Sequence, residues 1–97
     1  MLEISPDQIF VRNSDIIEAK INEEIVMMCV EMDSYFSLDE IGSRVWNILN
    51  EPNSLKGICD IMILEYDIDH ATAMIEVGVL LQDLVNHHLV RPHGAED

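Results

Sequence analysis

The chain has 97 residues, 48% of them apolar and 5% aromatic, with 5 Lys and Arg against 19 Asp and Glu for a formal charge of −14. That length gives one small domain with a single core and too little chain for a separate deep catalytic cleft. The charge argues against nucleic acid, whose binding relies on Lys and Arg displacing counterions, and disfavours anionic membrane surfaces for the same reason. The longest apolar run, Ile25 to Val30, is six residues, against the roughly 20 that a bilayer span needs. The start MLEISPDQ has no basic region leading into an apolar stretch and so is not a secretory signal; the expected compartment is the cytoplasm. Cys29 and Cys59 lie in apolar stretches without CxxC spacing and read as reduced core residues.

Residues 1 to 8 and 92 to 97 lack apolar periodicity, so the ordered core of a single 1–97 domain is expected over about residues 9–91. Ile9 to Arg12 is a short extended piece, and Asn13-Ser14-Asp15 turns the chain. A hairpin follows. Asp15 to Ile21 sets Ile17, Ala19 and Ile21 on one face and Glu18 and Lys20 on the other, and Asn22-Glu23 forms the turn. Glu24 to Met32 is apolar on both faces in its middle, as expected of a central strand covered on both sides. Asp33-Ser34 turns again, and Tyr35 to Leu38 makes a short third strand at a sheet edge. From Ser37 the period changes to 3.6: Ser-Leu-Asp-Glu fits a capping box on Ser37 and Glu40, with Asp39 as rival cap. Ile41, Val45, Ile48 and Leu49 share the face of the first helix, and Pro52 follows its end. Ser54 caps a second helix bearing Leu55, Ile58, Cys59, Met62 and Tyr66. The stretch Asp67-Ile68-Asp69 ends it and caps a third, from about His70 to His87, after which Leu89-Val90 returns to the core as an extended tail. The fold class is α+β: a three-stranded antiparallel sheet, then three helices, of winged helix-turn-helix-like composition.

No catalytic motif is present: no GxSxG, no Gly-rich phosphate loop, no HExxH and no paired cysteines. Neither a metal nor a cofactor is expected. His87, His88 and His93 cluster only at a helix end, where histidine favours the helix dipole in any case. Most acids read as solvated faces, although Glu76 and Asp83, seven residues apart on the third helix, would attract a basic partner. That helix is also apolar well beyond the roughly 100° stripe a surface helix needs, through Ala73, Ile75, Val79 and Leu80. An edge strand beside an apolar helix groove suits β-augmentation, in which a peptide adds a strand through main-chain hydrogen bonds. The alternative is that the same residues simply pack inside a small domain or in a homodimer interface.

The ordered set VMMCVEMDSYFSLDEIGSRVWNIL, then Pro and Ser before a helix ending LEYDID, then EVGVLLQDLVNHHLV, resembles the PqqD-like proteins, or RiPP recognition elements, over about residues 10 to 91. The matches are Tyr35, Phe36 and Leu38, Val45-Trp46 and Leu49, Tyr66 to Asp69, Glu76-Val77, Leu80-Leu81, Leu84 and Leu89-Val90. Departures are Asp39 where Asn is usual, Glu76 where Asp is usual, and Asn22-Glu23 for the usual Asp-Gly. The Tyr35–Leu38 strand and Val45-Trp46 look most like the stand-alone proteins of lasso-peptide biosynthesis. The resemblance implies a non-catalytic module that binds the leader segment of a ribosomally made precursor peptide as an added strand. It would present that peptide to a leader peptidase or other modifying enzyme. Carried over to this chain, Tyr35, Phe36, Ser37 and Leu38 would supply strand pairing and pocket walls. Ala73, Val77, Leu80, Leu81 and Leu84 would line the helix side, some of them as core instead, and Glu76 and Asp83 would meet basic leader residues. The rivals are a winged-helix DNA-binding regulator, disfavoured because the third helix has no Lys or Arg, and an adaptor or homodimer that uses the groove for itself. The chain is expected as a monomer or a strand-swapped dimer.

Overall fold

The computed structural model describes residues 4–30 and 34–93. Alternating apolar residues and a two-residue turn build the first unit, a sheet in the order β2-β3-β4, from β2 (Ile16–Ile21), β3 (Glu24–Cys29) and β4 (Ser34–Leu38). Asn22 adopts a left-handed backbone with φ of 59°, a conformation its short polar side chain tolerates and a tight hairpin requires. The β2–β3 register runs from Ile21 opposite Glu24 to Ile16 opposite Cys29, and β3–β4 from Ile25 opposite Leu38 to Cys29 opposite Ser34. All pairs are antiparallel.

One face of this sheet is core: Ile25, Met27, Cys29 and Leu38 are buried. The other face is not covered by any described element. Val26 and Met28 are only half-buried there, and Ile17, Ile21 and Tyr35 are exposed, which corrects the expectation of a central strand enclosed on both sides. The apolar outer residues of β3 are shielded by their own neighbours on the sheet. The strand ends at Cys29 and Val30 already turns, while Ser34, expected in the turn, pairs with Cys29 as the first residue of β4. Residues 31–33 of the expected extension and turn lie outside the described residues, as do parts of both end segments.

A second small sheet joins chain ends that are far apart in sequence. β1 (Ile9–Arg12) pairs antiparallel with β5 (Asn53–Ser54) on one side and with β6 (Val90–Pro92) on the other. The extended return of the tail is thus a strand, with Leu89 and Val90 buried before it leaves the core. The two-residue β5 has no periodicity of its own and is visible only through its pairing.

Three helices pack on the core side of the sheets: α1 (Glu40–Ile48), α2 (Leu55–Glu65) and α3 (His70–Asn86). Asp39 caps α1, its carboxylate accepting from the Gly42 N–H at 2.8 Å. Ser37 does not cap it, because Ser37 remains in the ladder opposite Val26 and the chain stays extended through Asp39. A Cβ on Gly42 would stand 3.1 Å from Leu38 Cδ2, so the glycine lets α1 start hard against the end of β4. Ser54 and Asp69 cap α2 and α3 as the sequence indicates. The α3 terminus closes with paired bonds from the Leu89 N–H to the Leu84 carbonyl and from the His88 N–H to the Val85 carbonyl. This is a Schellman arrangement with His88 in the left-handed position usually taken by glycine.

The largest core side chain, Trp46, is fully buried. Its indole N–H donates to Glu18 of β2 at 3.0 Å, and the Arg12 guanidinium of β1 lies 4.1 Å from the ring centroid. Arg12 also donates to the Trp46 carbonyl and pairs with Glu18. Burial lowers the Arg12 pKa, with Glu18 opposing that shift.

Both cysteines are free and buried, and burial, aided by Asp60, pushes the Cys59 thiol up to about 11. Neither thiol should react with a chromogenic disulfide reagent at neutral pH in the native protein, and both should react at once in denaturant; fast native reaction would contradict the packing. Replacing His88 by Gly removes a left-handed cost of about 1–2 kcal/mol and adds about 0.5–1 kcal/mol of unfolded-chain entropy. Denaturant titration of His88→Gly should therefore show a net stabilisation between about 0 and about 1.5 kcal/mol.

Candidate functional site

In an antiparallel ladder, alternate residues turn both main-chain groups toward the same neighbour. The Asp15 carbonyl accepts from the Val30 N–H at 3.2 Å, which sets the alternation for the whole sheet. Ile17, Ala19 and Ile21 direct their groups to β3, and Ile25, Met27 and Cys29 direct theirs to β4. Ser34, Phe36 and Leu38 therefore spend their groups on β3, and Tyr35 and Ser37 point theirs away from it. No strand pairs on that side among the described residues. The edge carries two N–H donors and two carbonyl acceptors in the spacing a further strand needs.

The lower end of the edge is fixed by Ser43, which is 3% exposed. Its hydroxyl accepts from the Ile25 N–H at 3.0 Å and donates to the Leu38 carbonyl at 3.2 Å. It stands where the last ladder bond would be and ties α1 to both strands.

Beside the edge runs an open groove of about 610 Å³ between β4 and α3. Phe36, Leu38 and Leu80 supply its apolar walls, with Ile41 and Gly42 from the start of α1. Glu24, Asp39 and Glu76 line it as well, and no basic side chain does. Phe36 also meets the ring of His87 edge-on, with centroids 4.8 Å apart. His87 Nδ1 lies 2.8 Å from the Asp83 carbonyl, and since a carbonyl only accepts, that nitrogen carries the proton.

The structure separates the residues singled out in the sequence into three groups. Phe36, Ser37, Leu38, Glu76 and Leu80 come together in the groove. Ala73, Val77, Leu81 and Leu84 lie in the core, none more than 5% exposed, because positions three and four apart share the helix face turned to the sheet and α2. They support the groove from behind and do not line it. Tyr35 is 72% exposed on the outer sheet face beside Met28 and Ile17, and Asp83 is exposed outside the groove lining. Ile75 and Val79, part of the apolar surplus of α3, are exposed and also outside it.

Glu24, Asp39, Ile41, Gly42 and His87 are groove or groove-flanking residues that sequence reasoning missed. His87 follows Leu80 by seven residues, so helical spacing carried the signal. The other four are brought in by the tight hairpin register and the abrupt β4–α1 junction, which have no periodic signature. Among the described residues no group of acids, His and Cys could hold a metal ion, and no helix is long and apolar enough to cross a membrane.

An open strand edge facing an apolar, acid-rimmed groove defines a peptide-docking class of domain. The family model for coenzyme PQQ synthesis protein D (PqqD) matches residues 24–90, and the chain belongs to that family. Two solved structures share its fold. One is described as TbiB1 in complex with the TbiA(beta) leader peptide: it is 30% identical, with a TM-score of 0.77, covering 90% of this chain and 99% of that one. The other is described as lasso peptide synthetase B1 complexed with the leader peptide: it is 18% identical, with a TM-score of 0.72, covering 86% and 98%. No protein with a curated description matches in sequence.

Proposed function

We propose that this protein binds the leader segment of a ribosomally made precursor peptide, of the lasso class, as a strand added to β4. It does no chemistry itself and presents the peptide in the cytoplasm to a leader peptidase or other modifying enzyme. The observation that carries this reading is the open edge at Tyr35 and Ser37 facing the Phe36–Leu80 groove. Its support is the 30% identity to a protein whose structure holds a leader peptide. A strand paired to Tyr35 and Ser37 sets alternate side chains over Phe36 and toward Leu80, so the leader needs an apolar residue there. At the end of the groove near Glu24, Asp39 and Glu76, a Lys or Arg fits better than an acid. A winged-helix regulator is a poor second, because α3 carries no Lys or Arg and the chain is strongly acidic.

Anisotropy of a fluorescent leader peptide from the adjacent short reading frame, with a scrambled leader as control, tests this directly. Saturable binding below about 10 μM, or some 7 kcal/mol, is expected, and equal binding of both peptides would sink the reading. Phe36→Ala and Leu80→Ala should each weaken binding about 30-fold, near 2 kcal/mol. Ser37→Pro removes an N–H that points outward and leaves the β3 ladder intact, so it should weaken leader binding in a folded protein. Glu76→Lys should cost up to about fivefold in affinity for a leader with a cation at that end, within the roughly 0.2–1 kcal/mol of an exposed pair.

A further inference from the structure

The sheet has a second open edge, β2, at the opposite side from β4. By the alternation set at Asp15 and Val30, Ile16, Glu18 and Lys20 turn their main-chain groups outward there. The side chains along it read Ile17-Glu18-Ala19-Lys20-Ile21, a sequence that becomes its own complement when reversed about Ala19. Ile17 and Ile21 are 57% and 58% exposed on the outer face. Glu18 and Lys20 stand on the other face. Lys20 has no ion pair among the described residues, whereas Arg12, Arg44 and Lys56 each have one.

We infer that β2 is the docking surface for a second copy of this chain, the two strands pairing antiparallel about a two-fold axis at Ala19. In that register Glu18 of each copy lies opposite Lys20 of the other, and Ile17 of each lies opposite Ile21 of the other. The Glu18–Lys20 pairs are also the ones whose N–H and carbonyl groups face the edge, so they exchange four main-chain hydrogen bonds. The Glu18 carboxylate meets both Trp46 and Arg12 through Oε1, which leaves Oε2 for an incoming ammonium.

Neighbouring registers are excluded by the same chemistry. A two-fold at Glu18 sets the two Glu18 carboxylates against each other and Lys20 against Ile16. One at Lys20 sets the two ammonium groups together. A lysine on an edge strand ordinarily guards against pairing with foreign strands, and here it favours a strand that sets an acid opposite Lys20 and a base opposite Glu18, as a second β2 does. The edge is thereby selective for itself. The outer apolar faces of the two sheets become continuous across the seam, while each β4 edge stays open at the far ends of a six-stranded sheet. Closed two-fold symmetry stops the assembly at two copies.

Sedimentation velocity from about 5 to about 500 μM at about 0.15 M salt, where the Debye length of about 8 Å screens the net negative charge, tests this. The mass should rise from monomer toward dimer across that range. Lys20→Glu and Ala19→Glu, each checked for native circular dichroism, should weaken association at least about tenfold. Both should leave leader affinity unchanged, whereas Ser37→Pro should leave the dimer unchanged, so the two edges fail separately. A chain that stays monomeric at the highest concentration, or a dimer that neither β2 variant weakens, overturns the proposal.

Discussion

Trp46 is the constraint on which the rest of the structure depends. The two sheets share no ladder; they are joined through one common core, whose largest side chain, a fully buried indole on α1, is held from β1 by Arg12 and from β2 by Glu18. An indole N–H buried without an acceptor would cost about 1–3 kcal/mol, so Glu18 is needed there, and Arg12, the more buried partner of the ion pair, gains its counter-charge from Glu18. The arrangement is a set of mutual requirements spread over three elements. It fixes the rotation of α1, which carries Ser43 three residues before Trp46. The open β4 edge is therefore positioned by a tryptophan that does not line the groove.

Ser43 converts that rotation into a defined strand end. By taking the Ile25 N–H and giving its own proton to the Leu38 carbonyl, it satisfies two main-chain groups at the point where β3 and β4 part. The chain can then turn sharply through Asp39 into α1, with Gly42 close against Leu38. The groove has a floor because that turn is short. Behind its far wall, Ala73, Val77, Leu81 and Leu84 pack α3 into the core, so Leu80 is presented from a rigid helix.

Much of this was legible in the sequence because it rests on period and on capping chemistry. Strand alternation from Ile17 to Ile21, the caps at Ser54 and Asp69, and the 3.6 spacing in α3 are local signals, and the structure keeps all of them. Ser37 misled because a Ser three residues before Glu is a cap only where the chain has already left its strand, and the β3 ladder holds Ser37 one step longer. The division of α3 into core and groove residues was not legible, since Ala73, Val77, Leu80, Leu81 and Leu84 are all apolar and only the helix rotation sorts them. The second sheet was hidden for another reason: β5 is two residues long, below any periodicity, and exists only through a partner more than forty positions earlier in the chain. The acidic rim was hidden because Glu24, Asp39 and Glu76 come from three separate elements.

For the proposed strand addition at β4, the sizes of the available interactions decide where selectivity must lie. Main-chain hydrogen bonds at Tyr35 and Ser37 are worth about 0.5–1.5 kcal/mol each net of water, and they accept any sequence except proline. Association itself costs about 4–15 kcal/mol in lost freedom, so four such bonds alone do not hold a peptide. The surplus has to come from apolar area, at about 25 cal/mol per Å², and the groove offers that area chiefly between Phe36 and Leu80. In that mode a single well-seated side chain would carry most of the discrimination, and the acids at Glu24, Asp39 and Glu76 would add a preference for charge without contributing much affinity. The same reasoning explains how a domain of this size can be selective without a deep cavity. The edge supplies direction and register, and one or two side chains supply identity.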